Sequence, residues 1–464
     1  MGYWKQQFLL VSSSNIVRCN APPDDIYRAG YRPVRKIATI SASFGVKGES
    51  RCANTLHSKK ETIMGERFSG SRITVAVAAA AAVISVSIDR TSAQAPSATA
   101  PAPVLKTPWG EPDLQGVWTD ETDTPLQRPA KYAAQEFFTA AQRAELDDAR
   151  TAVLVNADAD VHAERRGTAR DVAGAYNSQF VSFKRTGART SLIVDPPNGL
   201  MPPLTPEARK IAAAEREFRL ALLQATDTCR DKSPACTGGT YDPTPSPRFA
   251  EQPPRYNTIA FNRNDDPEDG NLANRCLTGG LPEFGSRTGS YRRIVHTPGG
   301  ITMFYDVGQG QGWQRNIVMD GKAHVPASIR QWYGDSRGHW EGNTLVIDVT
   351  NFSPKTDFQG SRENLHLIER WTRTSPTTLA YEVKIEDPTV WTKAWTVKEE
   401  FTKQSDQENR LYYEPRCVEG NYGLPGLLRG ARMEELAFAQ GRGPDPRTID
   451  IVKGGFLLQD DPLR

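Results

Sequence analysis

The chain is poor in the residues and spacings that announce a reaction. Its 464 residues include six cysteines, six histidines and six methionines. It has no S-x-x-K and no H-E-x-x-H, so two common local signatures of serine acylases and zinc proteases are missing. No C-x-x-C pair occurs, which disfavours a zinc site built from four thiolates. No G-x-G-x-x-G lies between a strand and a helix. Gly308-Gln-Gly310-Gln-Gly312 follows one strand-like run and leads to Trp313 and another, so it reads as a loop and not as a phosphate cradle. Charge of one sign is lacking too, because 57 basic residues face 55 acidic ones for a net +2. Without a basic patch interleaved with aromatics, nucleic-acid binding is disfavoured. No repeat of fixed period is visible, which argues against a propeller. No strand-like run is long and wholly apolar, which argues against a buried parallel sheet.

What is present starts with a processing pattern. Met64 opens a basic stretch with Arg67 and Arg72. Ile73 to Ile88 is almost wholly apolar, and Ala93-Gln94-Ala95 places small residues where a signal peptidase reads. Residues 64–95 therefore read as a secretory signal peptide. The apolar run is too short to favour a transmembrane helix, so no stable span is expected after cleavage; the competing reading is a retained anchor. Residues 1–63 are expected to precede the true start, as untranslated or disordered leader. The expected location is periplasmic or secreted. Residues 96–108 form a Pro/Ala-rich spacer.

Four cysteines follow the spacer: Cys229, Cys236, Cys276 and Cys417. An even count in an oxidising compartment suggests two disulfides. Cys229 and Cys236 close a short loop; Cys276 and Cys417 would then pair over a long separation, worth on the order of 4 kcal/mol in the loop-entropy model. Four free thiols are the alternative.

The mature chain falls into a mixed helix and strand region, 109–256, and a β-rich region, 257–464, expected to share one domain. Gly116-Val-Trp118 has the Gly-x-Trp that opens lipocalin-like barrels, though a Trp anchoring the start of any sheet gives the same pattern. Ala130 to Val155 has helical spacing. Thr205-Pro206-Glu207 is a helix start: a capping hydroxyl, Pro at the first helical position and an acid in the first turn, with the helix running to about Leu223. Thr190 to Asp195 reads as a short strand. From Tyr291 onward strand-like runs recur at Tyr291–His296, Ile301–Val307, Arg315–Val318, Thr344–Val349, Leu365–Thr372, Thr378–Ile385, Trp395–Phe401 and Arg410–Glu414. The expected fold is α+β and mainly β, with an antiparallel barrel or sandwich of lipocalin-like character and first-half helices packed against it.

Five blocks in order resemble a family of exported bacterial proteins of unknown function. They are Pro108-Trp-Gly-Glu-Pro-Asp-Leu-Gln-Gly-Val-Trp118, Arg189-Thr-Ser-Leu-Ile-Val-Asp-Pro-Pro-Asn-Gly199, Pro202 to Glu207, Gly334 to Phe352, and Cys417-Val-Glu-Gly-Asn-Tyr422. The resemblance implies export and no particular activity. Members often carry Pro-His-Pro after the Asp-Gly turn, where this chain has Ala323-His324-Val325-Pro326. They also carry His-Pro-His-Ser before the Glu-Arg strand, where this chain has Gly360 to His366.

Glu369 is the sharpest single residue. On a strand it shares a face with Leu365, Leu367 and Trp371, and an acid on an apolar face must be paired or have its pKa raised. Either it is a general acid or base, or it is a structural ion pair with an arginine. A small, partly apolar ligand in the barrel mouth is the expected partner. Trp313, Trp332, Tyr333 and Trp340 would form the apolar wall, and Asp335, Glu341, Glu369 and Arg370 the polar anchors. The competing reading is a hydrolase or lyase with Glu369 or Asp348 as base and His324 as acid. A structural protein of the envelope is the third. His296, His324, His339 and His366 lack the close spacing of a metal site, and Asn264 to Gly270 lacks the ligand order of a calcium loop, so no metal or cofactor is expected.

Overall fold

The computed structural model describes residues 105–162, 184–277, 280–284, 291–308, 311–404 and 422–452. The expected leader, signal peptide, spacer up to residue 104 and Arg410–Glu414 strand, and Cys417, lie outside them.

The elements run β1 (Gly116–Thr119), β2 (Thr122–Asp123), α1 (Ala140–His162), β3 (Arg185–Thr186), β4 (Ile193–Asp195), α2 (Pro206–Leu223) and the single-turn α3 (Asp227–Arg230). The wall strands follow as β5 (Tyr291–Thr297), β6 (Gly300–Gly308), β7 (Gln311–Val318), β8 (Asp335–Glu341), β9 (Thr344–Thr350), β10 (His366–Ser375), β11 (Thr378–Glu386) and β12 (Trp395–Lys403), and α4 (Gly423–Ala439) comes after them. β5 to β12 pair in sequence order, and β1 closes the ring by pairing with β5 on one side and β12 on the other. The expected barrel is therefore present. β4 adds to the opposite end of the β12 edge.

Alternation builds the wall. On β10 the odd positions Leu367, Glu369 and Trp371 are buried and the intervening ones are half-exposed. Their cross-strand partners Val349, Ile347 and Leu345 on β9 and Ile385, Val383 and Tyr381 on β11 are buried as well. One contiguous core results, with Trp118, Trp371, Trp391 and Trp395 fully enclosed. Each such ring contributes on the order of 2–3 kcal/mol by leaving water. Trp118 donates its indole N–H to Leu114 O at 2.9 Å, and the Arg373 guanidinium lies 5.4 Å over its ring.

One pair of wall strands departs from the antiparallel expectation. β7 and β8 run parallel, with Val318 beside Arg337, so residues 319–334 form a return crossover on the outer face of the wall and not a hairpin. We call this return the strap, and we call the rim where β9–β10 and β11–β12 connect the cleft rim. The stretch after Gly334 is itself strand β8, which is absent from the strand-like runs read in the sequence. Gly334 (φ +65°) is forced, because a Cβ there would lie 2.5 Å from Thr350 O. At Gly338 a Cβ would meet Met319 Sδ at 2.5 Å and Ile317 at 2.7 Å, so the parallel contact needs a residue without a side chain.

The helix expected over Ala130 to Val155 is broken. A 3-10 turn, Ala130–Tyr132, precedes α1, which begins at Ala140. The intervening chain is held extended by Phe138 N donating to Ala188 O at 2.9 Å. Thr139 then restarts the helix, accepting from Gln142 N at 3.2 Å while its own N–H donates to Gln142 Oε1 at 2.8 Å. α2 begins where expected, with Thr205 Oγ1 accepting from Ala208 N at 3.1 Å. Cys229 and Cys236 form a disulfide, and Cys276 is disulfide-bonded too. Among the described residues no helix is long and apolar enough to cross a membrane.

Candidate functional site

The charged residues singled out by sequence separate onto two faces of one wall. Glu369 points into the barrel. There it makes an ion pair with Arg315 of β7 and accepts a hydrogen bond from Tyr381 Oη at 2.9 Å. The structural ion-pair alternative is thus what the fold builds. Burial works against the Arg315 charge, but Glu369 outweighs it and raises its pKa. Burial, reinforced by Glu369, also raises Tyr381. A second inward pair joins Arg292 of β5 to Glu283, with the Arg292 guanidinium 3.8 Å over the Phe401 ring. Burial pushes the Glu283 carboxyl up to about 7 despite Arg292, and it raises Glu399 too. Tyr305 sits between the two arginines, each 5.8 Å from its ring centre, and burial pushes its phenol up to about 12. Sequence reasoning missed Arg292, Arg315 and Glu283. The alternation that placed Glu369 would have placed Arg292 with Ile294 and His296, and Arg315 with Trp313 and Ile317.

Asp348, His324 and Asp335 lie on the opposite, outward face. His324, carried by the strap, has Nδ1 2.9 Å from Asp335 Oδ2 and Nε2 3.2 Å from Asp348 Oδ1. Asp348 Oδ1 is shared with His366 Nε2 at 3.0 Å, and His366 Nδ1 lies 3.0 Å from Glu386 Oε2. Arg337 Nε donates to Asp335 Oδ2 at 2.9 Å, and Lys384 pairs with Glu386. The hydrogen bond to Asp348 raises the His366 pKa, and the same contact lowers Asp348. For Asp335, burial is outweighed by Arg337 and the Val325 N–H, so its carboxyl is also lowered. Three carboxylates and two imidazoles thus alternate across four strands and the strap. No sequence spacing could show it, since the members are 18 and 24 residues from Asp348 on different segments. Among the described residues, no group of three or more His, Cys, Asp or Glu side chains is placed to hold a metal ion.

The proposed acid–base set is therefore divided. His324 and Asp348 touch, but Glu369 is across the wall from them, aligned with Ile347 and not with Asp348. The expected aromatic wall is divided as well. Trp313 stacks between Tyr305 (4.9 Å) and Tyr333 (5.6 Å) near the cleft rim. Trp340 sits by the β8–β9 turn at the other rim, 6.1 Å from the His296 ring, and Trp332 is half-buried at the end of the strap. Glu341 and Arg370 pair with each other on the outer face at 2.8 Å. Gly334-Asp-Ser336-Arg-Gly338 has the spacing of a nucleophile elbow, which sequence reasoning passed over. Ser336 is nevertheless the second residue of strand β8 and inward, 3% exposed, with no following helix, so it is not a presented nucleophile.

A cleft of about 970 Å³ opens outside the barrel at the cleft rim. Its walls are one face of α2, the 253–261 segment and the β9–β10 and β11–β12 connections. Thr205 Oγ1 donates to Thr389 O at 2.8 Å, and Thr205 N donates to Val390 O at 2.9 Å, docking the helix start on the β11–β12 connection. Leu204, Ala208, Ile211 and Val390 give it an apolar side. At its edge Arg255 pairs with Glu215 and, at 3.4 Å, with Asp357, while Arg362 reaches Asp357 at 3.1 Å. None of the aromatics or anchors expected from sequence lines it.

No family model and no curated protein matches the chain. Among solved structures, a secretory abundant heat soluble protein from Ramazzottius varieornatus is similar over 29% of this chain and 82% of its own, with 12% identity and a TM-score of 0.19. A likeness at that score carries no weight for function.

Proposed function

We propose that this is an exported protein that binds a small, partly apolar molecule, and that the molecule sits in the rim cleft against α2. The observation that carries the reading is the cleft itself. Its volume of about 970 Å³ suits a small organic ligand, and it sets apolar side chains beside a cluster of paired charges at its edge. The export half of the reading rests on the 64–95 signal pattern, on the resemblance to exported bacterial proteins, and on the compatible Cys229–Cys236 disulfide. The site differs from the barrel mouth expected from sequence, because the inward positions there are taken by Trp371, Tyr381, Trp395 and Phe401.

The test is mass spectrometry of small molecules carried through purification by the full chain, beside binding of the fluorescent amphiphile anilinonaphthalene sulfonate. Ile211 is 38% exposed, so Ile211→Arg introduces charge on the apolar side without disturbing the core. The wild type should carry a molecule, and Ile211→Arg should lose it and bind the dye at least tenfold more weakly. A wild type that carries nothing and binds the dye no better than the variant would sink the reading.

A further inference from the structure

We propose that the histidine–carboxylate array on the outer wall is a pH-sensitive clamp that holds the 319–334 strap on the barrel in mild acid and slackens it in alkali. All four ring nitrogens of His324 and His366 face carboxylate oxygens, at 2.9, 3.2, 3.0 and 3.0 Å. A neutral imidazole has one N–H and one lone pair. One nitrogen of each neutral ring would therefore set its lone pair against a negatively charged oxygen. Only the doubly protonated ring donates from both sides. At His366 the hydrogen bond to Asp348 favours that state. Asp335 of β8, Asp348 of β9 and Glu386 of β11 face the rings, and Arg337 and Lys384 offset them only in part. On the strap itself Lys322 and Asp320 pair with each other at 3.0 Å, and Asp320 also reaches Arg337 at 3.5 Å.

The strap depends on these contacts. Met319 and Tyr333 pack its two ends on the core, but between them Ala323 and residues 326–330 are exposed, so little apolar burial holds its middle down. Val325 N donates to Asp335 Oδ2 at 3.1 Å, on the same oxygen that faces His324. Asn351 Nδ2 donates to Val325 O at 2.9 Å, and Gln331 N donates to Asn351 O at 2.9 Å. The far end of the strap places Tyr333 against Trp313, so slackening it uncovers that side of the barrel. The clamp stands whether or not the rim cleft holds a ligand.

The signs define a window. The His366 pKa is raised, so its contribution is complete below an ordinary histidine value of about 6.5 and fades as pH climbs through the raised value. The Asp348 pKa is lowered, so its contribution is complete above about 4 and fades as pH falls through the depressed value. The clamp is tightest between those limits.

Hydrogen exchange of the full chain at pH 5.5 and 8.5, corrected for intrinsic rates, tests this. Amides of 319–334 should exchange at least tenfold faster at pH 8.5, while those of 380–383 in β11 serve as the control. In Asp348→Asn, and separately in His324→Gln, the strap should exchange fast at both values with the control unchanged. Equal strap protection at both pH values in the wild type overturns the proposal, as does wild-type pH dependence retained by both variants. Nitrogen NMR showing a neutral His366 ring at pH 5.5 overturns it too.

Discussion

Strands β9 and β10 carry one polar cluster on each face, and the two clusters obey different rules. Inside, Glu369, Arg315 and Tyr381 are sealed from water, with Glu369 0% exposed. Outside, Asp348 and His366 keep 44% and 32% of their side-chain surface. The residues are of similar kind, yet burial makes the first set a fixed part of the core and leaves the second free to exchange protons with solvent. A sealed charge cannot lose its partner cheaply, whereas a wetted one can. The same wall thus holds a structural ion pair and a titrating array, divided by the alternation of a β-strand.

The largest break in that comparison comes from inside. Arg315→Met strands the Glu369 carboxylate and should cost about 3–5 kcal/mol in a denaturant melt. Adding Glu369→Leu should recover most of the loss, since well-packed apolar replacements of a buried pair are often neutral; a double variant no better than the single one would show that the pair itself, and not the orphaned charge, stabilises the barrel. Next in size, Cys229→Ser with Cys236→Ser opens a loop spanning a separation of 7 residues and should cost about 2.5 kcal/mol by the loop-entropy relation, read as a lower melting temperature in oxidising buffer. On the outer face, Asp348→Asn should cost under about 1 kcal/mol at pH 5.5 and less at pH 8.5, a difference that paired melts resolve. The smallest effect belongs to Glu341→Gln. Its carboxyl is lowered chiefly by Arg370 on an open surface, and the melt should not move.

A further contrast concerns pH. Glu283 inside is pushed up by burial, so the folded chain holds a proton there that the unfolded chain releases. Stability then falls as pH rises from about 4.5 to about 7, the interval between the ordinary and the shifted value. Glu283→Gln should make that part of the stability profile less steep, the remaining slope coming from Glu399, and leave the strap's exchange behaviour untouched.

Much of this architecture is legible in the sequence because period-two patterning is local. Thr344–Val349, Thr378–Ile385 and Trp395–Phe401 match observed strands to within a residue or two, and Thr205 announces α2. The same patterning put Glu369 on the apolar face. It hid β8, because Asp335-Ser-Arg-Gly-His-Trp-Glu341 mixes glycine and charge where a strand is usually apolar. Alternation tells which face a residue occupies, and says nothing of which strand lies beside it. Arg315, 54 residues before Glu369, and His324, on a strap that exists only because β7 and β8 are parallel, were out of reach for that reason.

That parallel pair has a mechanical consequence. Hairpins zip β5 to β7 into one curved leaf and β8 to β12 into another. Two narrow seams join the leaves. Among the described residues, β7 and β8 are in register only at Ile317–Ser336 and Val318–Arg337, and β1 meets β12 at Trp118–Lys403 and Thr119–Thr402, with Gln404 N donating to Val117 O at 2.9 Å. The barrel is built like a bivalve shell, with stiff valves and short sutures. Any opening that leaves the leaves intact must begin at a suture, and the strap spans the one between β7 and β8.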